Sequence, residues 1–153
     1  MRRAARALAA VTPVGAALVA AGTLAVLAAD VGAWVVVPGV VVLTAGLAGT
    51  HGVLAGRIGD LAFLGLVFTY ISFLLLFALG LGYASLLVAT PLLVVGLLRM
   101  RPQLRASAVA LVAIWPVAAA AAALTPLGFV EAFAPLFPLP YAVLALEALR
   151  LPQ

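Results

Sequence analysis

Between Asp60 and Arg99 the chain carries no charged side chain. A bilayer core is roughly 30 Å thick, and about 20 apolar residues in a helix cross it once. The uncharged stretch is therefore long enough for two crossings, with the turn between them expected at Gly80-Leu81-Gly82-Tyr83. A soluble domain would need about a quarter of its residues charged to clothe its surface. Here 8% are charged and 68% are hydrophobic, and the mean hydropathy is +1.38. The chain reads as a polytopic all-α membrane protein whose surface faces lipid or other protein.

Composition narrows the chemistry further. Cysteine is absent, which excludes disulfide exchange, thiol catalysis and thiolate metal sites. Every basic residue is Arg and none is Lys, so a retinal Schiff base is impossible. With abundant Ala, Gly, Val, Leu and Pro, that usage fits a GC-rich coding sequence, and a prokaryotic inner membrane is the expected location. A net charge of +4 would point to nucleic acid in a soluble protein; membrane topology accounts for it better, and no nucleic-acid partner is expected.

Charges and turn residues divide the sequence into apolar blocks at about 7–29, 32–51, 61–80, 82–98, 106–124 and 127–149, one transmembrane domain of about six helices. Arg2, Arg3 and Arg6 precede the first block, and Arg57 follows the second. Arg99, Arg101 and Arg105 follow the fourth, and Arg150 closes the last. Six crossings put all of them on one side, which the positive-inside rule makes cytoplasmic, with both termini inside. Asp30, Tyr83 and Glu131 then fall outside. The first apolar run exceeds the 7–15 residues of a signal-peptide core, so an uncleaved first helix is expected. Pro135, Pro138 and Pro140 break the last block, because each removes a backbone donor. A short piece near 127–134 and a helix from about Pro140 to Arg150 are expected, with the break read as an outer loop beside Glu131.

Gly46, Gly49, Gly52, Gly56 and Gly59 recur at spacings of three and four, which on a helix allows close backbone approach. Gly46 and Gly49 are the packing candidates, whereas Gly56 and Gly59 loosen a loop. Ala118–Ala123 form a second small-residue surface, with Ala118 and Ala121 its candidates. In the third block Thr69, Tyr70, Ser72 and Phe73 make a mid-membrane polar and aromatic face that could receive a ligand, although such a face more often packs against neighbours.

The ionisable residues offer little chemistry. Asp60 lies three residues after Arg57, and Glu147 three before Arg150; both spacings suit interfacial helix pairs. His51 is the single histidine and reads as a polar cap at a helix end. No zinc spacing, bis-histidine set, phosphate-cradling loop or nucleophile motif appears. No cofactor, metal or catalytic residue is expected.

The function expected from these features is a non-catalytic helix-packing subunit or scaffold of a larger membrane assembly, in contact with the bilayer and with other subunits or copies of itself. A small oligomeric channel or transporter for an uncharged or lipidic solute is the alternative. On that reading Asp60→Asn, Glu147→Gln and His51→Ala should leave function nearly intact.

Overall fold

The computed structural model describes residues 2–29, 33–79, 82–100 and 102–152, apart from the side chains of residues 2, 33, 73–79, 82–85, 100 and 102. The expected sites of Asp30, Arg101 and the Gly80-Leu81 part of the turn lie outside the described residues, as do the side chains of Phe73 and Tyr83.

Across the described residues the protein is built from α-helices and one 3-10 turn: α1 (Arg2–Ala9), α2 (Thr12–Ala29), α3 (Ala33–Leu54), α4 (Asp60–Leu79), α5 (Gly82–Met100), α6 (Arg105–Leu124), α7 (Phe129–Phe133) and α8 (Leu139–Arg150). Among the described residues three helical stretches are long and apolar enough to cross a membrane: Arg3–Ala29, Trp34–Leu54 and Arg105–Leu124. Where their side chains are described, over Asp60–Ser72 and Leu86–Arg99, α4 and α5 are apolar as well. The protein is a helical membrane protein by length and hydropathy.

Local sequence explains the interruptions. Pro13 has no N–H to donate to Ala9, and the chain makes a turn at Ala10-Val11 between α1 and α2. Pro38, Pro91 and Pro116 lie inside α3, α5 and α6, where each leaves a carbonyl one turn earlier without its usual donor. At Gly56 the backbone turns left-handed, with φ 71°. A side chain there would be strained, so this glycine forms the bend between α3 and α4.

The helices pack as two close hairpins, α2 with α3 and α4 with α5, while α8 lies against α1, α2, α3 and α6. In lipid there is no hydrophobic drive between helices, so association depends on close van der Waals fit. Glycines supply that fit. A Cβ on Gly15 would collide with the backbone of Leu43, one on Gly65 with the backbone of Leu93, and one on Gly96 with Ala62. Leu43, Leu47, Leu66, Leu93, Leu97 and Leu111 are fully or almost fully buried in one continuous core.

At about 1.5 Å per residue, the 12-residue α8 is roughly 18 Å long, about half a bilayer core. Yet Tyr141, Leu144, Ala145 and Ala148 are buried, so this short helix lies within the bundle. The proline-rich break falls between the short α7 and α8, and the α7 segment packs against its neighbours. It folds back onto α6, where Trp115 stacks against Phe129 with ring centroids 6.2 Å apart and meets Phe133 at 4.8 Å. Phe133 and Phe137 are buried, with rings 6.2 Å apart and nearly parallel. Four aromatic rings outweigh the polarity of Glu131, which turns aside to accept a hydrogen bond from the Gly128 N–H at 2.8 Å.

Candidate functional site

Gly46 and Gly49, two of the expected packing residues, lie against neighbouring helix backbone. Gly46 faces Thr12, and Gly49 faces the backbone of Leu8 and Ala9, so this glycine face of α3 receives the α1–α2 junction. Beside it, the Thr12 and Thr50 hydroxyls lie 3.3 Å apart, and Thr50 also donates to the Gly46 carbonyl at 3.0 Å. The alanine run of α6 divides by face. Ala118 is buried, Ala121 half-buried, and Ala119, Ala120 and Ala123 are exposed. Val109, Val112 and Val117 are exposed as well, which leaves α6 with an outward apolar face of small and β-branched side chains.

The mid-helix face of α4 is divided in the same way. Thr69 donates to the Gly65 carbonyl at 2.9 Å and lies 3.4 Å from the Tyr141 hydroxyl of α8. Ser72 donates to the Phe68 carbonyl at 2.6 Å. Both hydroxyls are thus satisfied inside the protein, as serines and threonines in apolar helices commonly are. The Tyr70 hydroxyl is buried and has no hydrogen-bond partner among the described residues.

The two expected charge pairs do not form. Arg57 sits in the turn after α3, off helical geometry, and donates to the Pro152 carbonyl at 2.7 Å. Glu147 reaches across to the start of α6, where its Oε1 accepts from the Ala106 N–H at 3.1 Å and its Oε2 from the Ser107 N–H at 2.9 Å. The Ser107 hydroxyl donates to the same carboxylate. The first N–H groups of a helix lack intrahelical partners and draw negative charge. Three donors converging on Glu147 outcompete one flexible arginine.

Three further charges also lie at helix ends. Asp60 is the first residue of α4, and Glu131 closes the start of α7. Arg6 donates to the Leu149 carbonyl near the end of α8. His51 is not a simple cap. Its ring meets Phe63 edge-on, with centroids 5.2 Å apart and planes at 80°, tying the end of α3 to the start of α4. Among the described residues no group of three or more His, Asp or Glu side chains comes together as a metal site would require.

Sequence reasoning missed the capping role of Glu147, because its target lies 40 residues away. It also missed Gly15, Gly65 and Gly96, which have no regular glycine spacing to mark them. A further feature is an apolar cavity of about 410 Å³ between α2, α3 and α7, lined by Val26, Leu27, Val36, Val37 and Val130, with Glu131 beside them. Comparison with known protein families, with curated proteins and with solved structures finds no match.

Proposed function

We propose that this protein is a non-catalytic membrane subunit, a scaffold that packs against other membrane helices. The observation that carries this reading is the use of its carboxylates. Glu131 and Glu147 each accept hydrogen bonds from N–H groups at the start of a helix, and Asp60 is the first residue of α4, so these carboxylates have structural places. The outward face of α6 around Val112, Ala119, Ala120 and Ala123 supplies a smooth surface for a neighbouring helix.

The proposed setting is a prokaryotic inner membrane, crossed six times with both termini cytoplasmic. Its support is the Arg distribution, together with Trp34, 92% exposed at the opposite end of α3, where an amphipathic ring suits the membrane interface. In a chain without native cysteine, Ala55→Cys and Thr125→Cys should label from opposite sides of the membrane with an impermeant thiol reagent. Labelling of position 55, and not 125, from outside whole cells would reverse the orientation.

Purification in mild detergent, followed by mass measurement of the intact particle, tests the function. A hetero-complex is expected. Ala120→Leu, on an exposed position, should release the partner while leaving the thermal midpoint of the isolated chain unchanged. The second reading, an oligomeric channel or transporter for an uncharged or lipidic solute, is favoured by the apolar cavity between α2, α3 and α7. A homo-oligomer with a water-accessible centre would select it instead.

A further inference from the structure

A groove lies in the seam between α6 and α8, and past its end a pocket lies between the last turn of α8 and the 3-10 turn that precedes α6. At the Arg-bearing end, Gln103, Glu147, Arg150, Leu151 and Pro152 line a pocket of about 320 Å³. Its lining holds one carboxylate and one guanidinium, and any excess of positive charge comes from arginines beside it. Glu147 is the acidic side chain in that lining, and it already accepts from two backbone N–H groups and one hydroxyl. Arg57 and Arg6 donate to the neutral carbonyls of Pro152 and Leu149, so neither positive charge meets a carboxylate there. Arg150 is exposed, lines the pocket and pairs with no acidic side chain among the described residues.

Further along the seam is an apolar groove of about 260 Å³, lined by Ala113, Ile114 and Val117 of α6 and by Leu139 and Val143 of α8. Leu139, Val143, Leu146 and Arg150 succeed one another at spacings of four, three and four, which places them along one side of α8. Leu146, between groove and pocket, is 46% exposed. From Leu139 to Arg150 this strip rises about 16 Å, at 1.5 Å per residue. A hydrogen-bonding end that holds Arg150 and has Arg57 beside it on the Pro152 carbonyl, followed along α8 by an apolar groove, has the polarity of an anionic lipid.

We propose that the α6–α8 seam holds an anionic phospholipid. The phosphate lies against the Arg150 guanidinium and the Gln103 amide, and one acyl chain runs past Leu146 and Val143 into the groove. Guanidinium matches phosphate oxygens through paired N–H donors, and basic pockets between membrane helices suit acidic headgroups. The phosphate chemistry is shared with free phosphate; the apolar track distinguishes the lipid.

The test uses the full-length protein, delipidated in mild detergent and titrated separately with dioctanoyl phosphatidylglycerol, dioctanoyl phosphatidylcholine and inorganic phosphate. Phosphatidylglycerol should bind at least about tenfold more tightly than either of the others. Arg150→Gln should weaken it about five- to tenfold, the worth of one arginine beside an anionic headgroup, and should weaken phosphatidylcholine, whose choline offsets its phosphate, by clearly less. Arg150→Lys keeps the charge and should keep most of the preference. Equal affinity for the two lipids, or a preference unchanged in Arg150→Gln, overturns the proposal. Inorganic phosphate binding as tightly as phosphatidylglycerol overturns the lipid assignment and makes the pocket a free-phosphate site.

Discussion

Gly49→Leu should destabilise the isolated chain itself, before any partner is considered. Any Cβ at this position meets the backbone of Ala9 and Leu8, and backbone cannot swing aside as a long side chain can. Overpacking a tight core costs about 1–3 kcal/mol, and a branched side chain against a neighbouring helix belongs at or above the upper end of that range. Total stability is about 5–15 kcal/mol for ordinary domains, so the loss would be large. A sharp fall in the thermal midpoint in detergent is expected, with loss of a monodisperse particle. Gly56→Ala is the comparison. Its Cβ would meet nothing within 4 Å, so only the left-handed backbone resists, at about 1–2 kcal/mol. If Gly49→Leu melts no earlier than Gly56→Ala, the α1–α3 contact is not close enough to limit stability.

The difference between those two glycines was partly legible in the sequence. A three- and four-residue glycine rhythm marks a helix face, and Arg57 and Asp60 mark where the helix must end, so Gly46 and Gly49 separate from Gly56 by charge alone. The face against which Gly49 packs was not legible, because Leu8 and Ala9 have no feature that marks them as its neighbours. Periodicity fails in a chain this apolar. When most positions are Ala, Val or Leu, no polar stripe remains to say which side of a helix looks inward. Hence the alanines of α6 read as one surface from the sequence, whereas Ala118 is buried and Ala120 exposed. The prolines fared differently, since a missing donor acts locally: they place the break before α8. They cannot say that Phe129 and Phe133 then fold back onto Trp115, a contact set by aromatic shape across chain segments.

Glu147 is where local reading failed most clearly, and its variants should show by how much. It lies three positions before Arg150, a spacing that suggests an exposed pair worth a few tenths of a kcal/mol. The structure instead gives it the first turn of α6, which has no side-chain cap of its own from Leu104. Hydrogen bonds to a charged group contribute about 1.5–3 kcal/mol, and loss of a helix cap costs about 0.5–2 kcal/mol. Glu147 is half-buried, so solvent screening brings the expected loss for Glu147→Ala to about 2 kcal/mol. Glu147→Gln keeps one carbonyl oxygen but turns an NH2 group toward the second donor, and should lose about half as much. Both variants should speed hydrogen exchange at the Ala106 and Ser107 amides. Asp60→Asn, at an exposed helix start, should cost only about 0.3–1 kcal/mol. The sequence alone puts Glu147→Gln beside Asp60→Asn as harmless to function; the hydrogen bonds at the start of α6 make it the costlier of the two for stability. Equal thermal midpoints for those two variants, with unchanged exchange at 106 and 107, would show that the carboxylate does not hold α6 to α8.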